Sequence, residues 1–577
     1  MKHREIAELF EEIADLLEVG GENVFRIRAY RRAAQSLENL TEDLEQLNRD
    51  DRLLDIPGIG RDLADKIREY LSTGAIAYVA EVRKKAPPGI SELLAIPSIG
   101  PKSAKLLAEQ LRITSLDELE AAARNHKICA LPGFQEKKEQ NILRGIEIIR
   151  QGKARRHLGF ALPLAQAVLE LLRDVPGVAR AEAAGSLRRM RETVGDLDVL
   201  VTSTKPERVM QAFLKSRWCG RVLASGDTKA SILTPDAFQI DLRVVEPDAF
   251  GAALVYFTGS QAHNIRLREF AVKQGLKINE YGVFREPSGK RIVCREEADV
   301  YKAVGLPWIP PEIREDTGEF DAAREHRLPT LVDLDDIRGD FHVHTDWSDG
   351  RDTLEQIAEH GRRRGYKYMV ITDHSPSLTI ARGLTAQRKN AQMREIAQMN
   401  THFRGFRLLI GAEVDILDGG RMDYPNELLK RMDFVVGSVH SGFKQSKATM
   451  TNRILRAMDN PYVTMIGHPT GRLLGQREAY EVDLEAVYRH ARETQTALEM
   501  NASPQRLDLN DAAARQAHEH GVTLALSTDT HHHAQLDYMS IGIGIARRAW
   551  LGPKDLLNTR TLDELLAWVS RKRDAHG

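Results

Sequence analysis

The stretch GSLRRMRETVGDLDVLV, from Gly185 to Val201, alternates two carboxylates, Asp196 and Asp198, with Leu197 and Val199 ahead of an apolar run. That alternation predicts a β-strand carrying both acids on one face. Paired acids on a rigid strand suit a hard divalent cation: Mg²⁺ takes one or two protein carboxylates, keeps several waters and completes its shell with phosphate oxygens. Upstream, the turn at Gly185 and Ser186 offers backbone amides and a hydroxyl to a phosphate, and Arg188 and Arg189 offer fixed positive charge. A third acid, Asp241, lies on the later strand QIDLRVV. Three acids from two neighbouring strands can hold two cations about 4 Å apart, which stabilises both the attacking and the leaving oxygen in phosphoryl transfer. The plain alternative is a turn and a strand with solvated acids.

A second constellation begins at DFHVHTDWSDG, where His342 and His344 stand two apart on a strand and Asp349 follows. Five more apolar runs end in a potential ligand: YMVITDH in His374, RLLIGAEV in Glu413, FVVGSVH in His440, VTMIGHPT in His468, and LALSTDTH in Asp529 and His531. Helical segments lie between them. Polar residues gathered at the carboxyl ends of alternating strands are how a β/α barrel builds a site. A lone histidine there would be a packed core residue; nine ligand types together point to metal. Mixed imidazole and carboxylate donors suit Zn²⁺, Mn²⁺ or Fe²⁺ better than Mg²⁺ alone, and nine suffice for two or three ions.

The elements that place these residues are read next. From His3 to Leu17 and from Asn23 to Leu37, apolar residues recur at helical spacing, the second stretch interleaved with Arg26, Arg28, Arg31 and Arg32. LDIPGIGRDLADKIREYL from Leu54 is a helix-hairpin-helix pattern, in which Gly58 and Gly60 let the backbone approach a phosphate at a helix N-terminus. LAIPSIGPKSAKLLAEQL from Leu94 repeats it with Gly100 and Lys102, and ALPGFQEKKEQNIL from Ala130 is a degenerate copy with Gln135 at the closing glycine. Three hairpins read as a grip on DNA backbone that does not read sequence. The basic QGKARRH follows, then a helix near Glu207 to Lys215 and the runs GDTKASIL and QIDLRVV. Pro307 to Pro329 shows no sustained periodicity and reads as a linker.

At 577 residues the chain is too long for one core. Its net charge of −1 and mean hydropathy of −0.38 are ordinary for a water-exposed protein and neither support nor exclude a nucleic-acid partner. Cys129, Cys219 and Cys294 are scattered, which suggests a reducing compartment, and no apolar run approaches twenty residues, so a cytoplasmic protein without a membrane partner is expected.

Gly-Ser followed by Gly-Asp-x-Asp is a nucleotidyltransferase signature, and from Lys2 to Ile313 the chain resembles the family X DNA polymerases, the group of DNA polymerase beta. The resemblance implies that Asp196, Asp198 and Asp241 carry catalytic Mg²⁺ or Mn²⁺. It implies that Gly185, Ser186, Arg189 and Gly195 bind the triphosphate, and that Tyr256, Phe257, Gly259 and Ser260 of YFTGS contact the incoming nucleotide. Asn264 and Arg268 match positions at the minor groove of the nascent pair. Val194 replaces a serine and Gln239 an arginine, which implies lowered or rearranged nucleotide affinity. Lys66 falls on the Schiff-base lysine of a deoxyribose-phosphate lyase, with Tyr30 as its helper, but Asp62 stands where a phosphate-binding lysine belongs; the other reading is that Lys66 binds DNA backbone. A monovalent cation at a helix-hairpin-helix is implied as well.

From Ile337 to Val569 the chain resembles the PHP (polymerase and histidinol phosphatase) family, with every metal-ligand position occupied and with Asn501 and Arg506 of ALEMNASPQRLDLN as substrate contacts. The expected architecture is multidomain: α-helical helix-hairpin-helix domains at 1–80 and 81–153, an α+β nucleotidyltransferase palm at 154–245, a thumb at 246–315, a linker at 316–336 and a distorted β/α barrel at 337–572. The expected protein is a monomeric gap-filling polymerase of base excision repair, acting on gapped or primed DNA with deoxynucleoside triphosphates. Its barrel would be a 3′-5′ exonuclease that also cuts at abasic sites. The alternatives are a polymerase with a structural barrel, a non-catalytic DNA-end binder, and a small-molecule phosphatase, the last opposed by the three hairpins.

Overall fold

In the computed structural model, which describes residues 2–575 apart from 39–43, 57, 95, 97–98, 132–133, 135–138, 141, 144–145 and 147–154, the apolar positions Ile6, Phe10, Ile13 and Leu17 are all buried on helix Lys2–Gly20. The chain forms two compact units. Residues 1–155, 171–182 and 195–247 make the first, and 156–170, 183–194 and 248–577 the second.

In the first unit, helix Lys2–Gly20 packs on helix Val24–Glu38, and one hydrophobic core runs from Ile6 to Ile146, across the 80/81 boundary expected between two helical domains. Arg83 binds Glu12 at 2.7 Å over the same junction. The unit also holds a five-stranded sheet of β1 (Val178–Ala183), β2 (Asp196–Ser203), β3 (Arg221–Ser225), β4 (Lys229–Leu233) and β5 (Gln239–Val244), in the order β1-β2-β5-β4-β3. Strands β2 and β5 are parallel neighbours, whereas β4 runs antiparallel to β5. Leu197, Val199, Ile240 and Leu242 are buried while Asp196, Asp198 and Asp241 remain partly accessible, so the period-2 alternation sorts the two faces as expected.

In the second unit, helices Phe250–Thr258 and Gln261–Val272 join the antiparallel β6 (Leu276–Asn279), β7 (Gly282–Arg285) and β8 (Lys290–Ile292). Glu297 ties this region together: Arg188 and Arg314 each grip its carboxylate through two nitrogens, and Trp308 Nε1 donates to it at 3.0 Å. Burial opposes ionisation of Glu297, but the two guanidiniums outweigh it and hold its pKa far below the usual carboxylate range. The segment 316–336, expected to be a linker, is instead packed. Phe320 and Ala323 on helix Glu319–Arg324 belong to the same core as Val255 and Leu267, and buried Glu319 faces His263 Nδ1 at 2.8 Å. A six-residue helix is too short to show periodicity, which is why the sequence reads there as structureless.

Beyond it, β9 (Gly339–Val343), β10 (Tyr368–Ile371), β11 (Arg407–Asp415), β12 (Phe434–Ser438), β13 (Met465–Ile466), β14 (Ala497–Asn501) and β15 (Leu524–Ser527) form a parallel sheet in sequential order. A parallel bridge between Val343 and Thr530 brings its two ends together, giving a nearly closed barrel with helices between strands. Phe341 stacks on Phe434 at 5.0 Å across the ring, so side chains fill the interior.

Candidate active sites

In the first unit, Asp198 and Asp241 are register partners on β2 and β5, and Asp196 lies two residues from Asp198 opposite Gln239. Neighbouring strands stand about 4.8 Å apart, so the three carboxylates emerge side by side on one face. Asp241 is oriented from two directions: the Ser231 hydroxyl on β4 donates to Oδ1, and the Gln239 amide donates to Oδ2 at 2.9 Å. Sequence reasoning missed Ser231. Its signal was the antiparallel register that sets it opposite Asp241. Gly195 precedes this strand.

In the second unit, Gly185, at φ +63°, opens the short helix Gly185–Arg188 that carries Ser186. Both arginines offered as phosphate ligands are already engaged. Arg188 also donates to Thr258 Oγ1 at 2.8 Å, while Arg189 donates to the Thr258 carbonyl and lies 3.1 Å from Glu315. Tyr256 and Phe257 meet edge to face at 5.0 Å. After Gly259, Ser260 caps helix Gln261–Val272 by accepting from the His263 amide. Asn264 donates to the Tyr256 carbonyl at 2.7 Å, and Arg268 to the Asn264 carbonyl at 3.1 Å, so these positions form one connected cluster.

Among the hairpins, Gly58 sits in the left-handed region at φ +84°, where a β-carbon would be strained. Gly60 and Gly100 are the N-cap residues of helices Arg61–Thr73 and Pro101–Leu111, with open space where a side chain would stand and with exposed Lys102 beside Gly100. Lys66 Nζ lies 2.6 Å from Asp62 Oδ1 and 5.1 Å from the Tyr78 ring, and Tyr78 stacks on buried Tyr30. In the third hairpin, buried Glu139 accepts the amides of Ile128 and Cys129. Gln135 and residues 151–154 of the basic stretch lie outside the described residues.

At the barrel's carboxyl end the nine expected ligands converge. Donor atoms of His344, Asp349, His374 and His531 lie within 4.8 Å of one another, as do those of His342, His344 and Asp529, and those of His374, Glu413 and His440. Glu413 is the hub. Its Oε1 faces His440 at 3.3 Å and His468 at 2.9 Å, and its Oε2 faces His342 at 3.2 Å, His344 at 3.6 Å and His374 at 2.9 Å. His344 lies one residue beyond β9. A register shift between Asp340 and Val343 lets Phe341 fill the interior while the adjacent His342 still reaches the centre.

The charges fit cations. Burial opposes ionisation of Glu413, yet the imidazoles around it outweigh burial and hold its pKa well below the ordinary range. Burial and the neighbouring His531 and His374 push His344 down to about 4, the neutral form a metal needs. Buried His342 Nε2, both ring nitrogens of His344 and His374 Nδ1 make no hydrogen bond. Although burial opposes it, Glu413 and the acids beside it push the pKa values of His342 and His374 up, so this centre calls for positive charge. This donor set fits a cluster of borderline divalent ions.

A supporting layer was not foreseen. Glu499 holds His342 Nδ1 at 2.7 Å and accepts from Ser527 Oγ at 2.5 Å, and Asp415 holds His440 Nδ1 at 2.5 Å. Asp415 stands two residues after Glu413 on β11, the same-face spacing that could have revealed it. Asn501 Nδ2 and Arg506 Nε both donate to Asp529 Oδ2 at 3.2 Å, so the two expected substrate contacts also steady a ligand.

The chain matches a DNA polymerase beta thumb over residues 253–315, a helix-hairpin-helix domain over 1–76, a SAM-like helix-hairpin-helix tandem over 90–147 and a PHP domain over 340–503. It is 38% identical over 573 residues, 99% of its length and 100% of the relative's, to the DNA polymerase/3′-5′ exonuclease PolX of Bacillus subtilis (strain 168). A probable phosphatase of Syntrophotalea carbinolica is 34% identical over 168 residues, covering 28% of this chain and 65% of that protein. One of Caldicellulosiruptor bescii is 26% identical over 239 residues, covering 40% and 93%.

Proposed function

The chain belongs to the family X DNA polymerases that carry a carboxy-terminal PHP domain, and from that premise we propose which residues perform its two activities, DNA synthesis and 3′-5′ exonucleolysis. It fills short gaps in repair of the base excision type, as a monomer in the cytoplasm, taking gapped or primed DNA and deoxynucleoside triphosphates. Cys129, Cys219 and Cys294 form no disulfide, which fits that reducing compartment, and among the described residues no helix is long and apolar enough to cross a membrane.

Asp196, Asp198 and Asp241 hold the ions of the synthetic centre, and the register of Asp198 with Asp241 is the observation that carries the assignment. Divalent cations, Mg²⁺ or Mn²⁺ there and two or three of Zn²⁺, Mn²⁺ or Fe²⁺ in the barrel, supply when bound the neutralisation of charge building on phosphate oxygens. Ser231 and Gln239 keep Asp241 turned toward its partners, so Gln239 replaces an arginine's charge with an orienting amide. Gly185, Ser186, Arg189 and Gly195 bind the triphosphate. Tyr256, Phe257, Gly259 and Ser260 seat the nucleotide, while Asn264 and Arg268 meet the minor groove of the new pair. Gly58, Gly60, Gly100 and Lys102 hold DNA backbone, with a monovalent cation at one hairpin. Lys66 belongs with them, since the Asp62 carboxylate, 2.6 Å from its Nζ, puts negative charge where a deoxyribose phosphate would have to sit.

In the barrel, His342, His344, Asp349, His374, Glu413, His440, His468, Asp529 and His531 are the ligands, and Glu499 and Asp415 fix two imidazoles so that their Nε2 atoms face inward. Completeness of that set favours a catalytic barrel over a scaffold. The test is a one-nucleotide-gap duplex labelled at its 3′ end, incubated with Mn²⁺ with and without deoxynucleotides. Growth of the label that Asp198→Ala removes, and shortening that His342→Ala removes, support the two assignments; growth surviving Asp198→Ala overturns the first. A parallel abasic-site duplex tests cutting at that lesion.

A further inference from the structure

Within the second unit, the barrel grips the segment that follows the Gly185 turn at three successive places. Arg548, at the end of helix Met539–Arg548, donates from Nη1 to the Arg189 carbonyl at 2.8 Å and lies 2.9 Å from Glu315. Gly544, one turn earlier, leaves no room for a β-carbon against the Met190 side chain. Arg472, four residues past the ligand His468, binds Glu192 at 2.7 Å. Glu315 is the shared element, since it faces Arg189 at 3.1 Å, Arg548 at 2.9 Å and Arg191 at 3.9 Å. Arg548 is held from its other side by Asp511 at 2.7 Å, and the nearby Glu312 is taken by Arg547 at 2.7 Å.

The cluster of Arg189, Arg191 and Arg548 with Glu315 and Asp511 therefore carries one surplus positive charge. It is held where water screens little, because Glu315 and Arg548 are buried. We propose that Arg548, a barrel residue, is a positioning residue for DNA synthesis: by sharing Glu315 it keeps Arg189 free to exchange that carboxylate for the incoming triphosphate. The proposal rests on the reading of Arg189 as a triphosphate contact. Without Arg548, Glu315 is left to Arg189 at 3.1 Å and the more distant Arg191 at 3.9 Å, and the local surplus disappears. The Arg189 side chain is mostly buried, where water screens its attraction to Glu315 little, so a single committed carboxylate is enough to hold it.

The test is steady-state filling of a one-nucleotide gap by the full chain, with kcat and KM for the deoxynucleotide. Arg548→Ala raises KM about tenfold with kcat little changed, in the range typical of coupling between two sites. Adding Glu315→Gln to Arg548→Ala restores the surplus and returns KM to near the parent value, an outcome a merely structural arginine would not give. Arg548→Lys keeps the charge and also stays near the parent. Exonuclease activity on labelled single-stranded DNA and the melting temperature report that each variant is folded. An unchanged KM in folded Arg548→Ala, a raised KM that Glu315→Gln does not repair, or an Arg548→Lys that behaves as Ala overturns the proposal. Arg189→Ala separates the premise: unchanged KM there overturns the triphosphate reading itself, whatever Arg548 does.

Discussion

Asp198 and Asp241 stand directly opposite each other on adjacent parallel strands, and the hydroxyl of Ser231, from the strand on the far side, holds Asp241 in place. Two carboxylates fixed by a sheet cannot splay apart, so cations held by them would need little reorganisation during reaction. Asp241→Asn should lower primer extension by at least about a hundredfold and leave 3′ trimming intact. Ser231→Ala, which only loosens Asp241, should cost about tenfold. Extension rates on a primed template and trimming rates on the same labelled strand check both. Equal losses in the two variants would mean that Ser231 does more than orient.

Glu413 occupies the middle of the imidazole cluster, with two histidines on one oxygen and three on the other. A carboxylate so placed would help hold ions on either of its sides, and an amide could not serve both. Glu413→Gln should abolish exonuclease activity and lower the bound metal, counted by elemental analysis, while gap filling continues. Full metal content with no nuclease would show that Glu413 acts on the substrate instead.

Glu499 and Asp415 stand outside the expected ligand set but fix the Nδ1 atoms of His342 and His440. Removing such a partner costs about 10- to 100-fold in metal affinity. Glu499→Gln and Asp415→Asn should therefore show weak exonuclease activity that rising Mn²⁺ restores. A loss that no Mn²⁺ concentration repairs would contradict a purely supporting role.

These residues also mark the limit of what the sequence displays. The acids of β2 announce themselves through alternation with Leu197 and Val199, and the barrel ligands through their place at the ends of apolar runs, because both signals are periodic and local. Glu499 sits inside an ordinary strand with nothing nearby to distinguish it from any buried acid, whereas Asp415 is marked only by standing two residues after Glu413 on the same face. Phe320 looks like part of a linker because its helix, Glu319–Arg324, is shorter than two turns. The Glu315 cluster joins residues 126 and 233 positions apart, a separation that no local pattern can span.

Lys66 presents a sharper choice. A Schiff base needs an amine that can reach the sugar aldehyde beside its phosphate, and Lys66 Nζ is instead held at 2.6 Å by the Asp62 carboxylate. Borohydride treatment with a nicked abasic duplex should trap no adduct on the parent protein. Lys66→Ala should weaken binding to gapped DNA by a few-fold and shallow its salt dependence by about one phosphate contact. A trapped adduct that Lys66→Ala removes would reverse the assignment.

Lys572, on the carboxy-terminal helix Leu562–Ala575, is fully buried, donating to the Thr494 carbonyl at 2.8 Å and to Thr496 Oγ1 at 2.7 Å. Burial pushes its pKa down to about 7, whereas in the unfolded chain a lysine titrates near 10.4. Between those values the unfolded state binds a proton that the folded state does not, so stability must rise as pH climbs from about 7 to about 10 and level off outside that window. Lys572→Met removes the linkage. The parent should gain about 2 kcal/mol relative to Lys572→Met between pH 7 and pH 9, read from urea midpoints at the two pH values. Parallel pH profiles would show that Lys572 remains charged in the fold, its ammonium satisfied by the two threonines and the Met458 carbonyl at 3.4 Å.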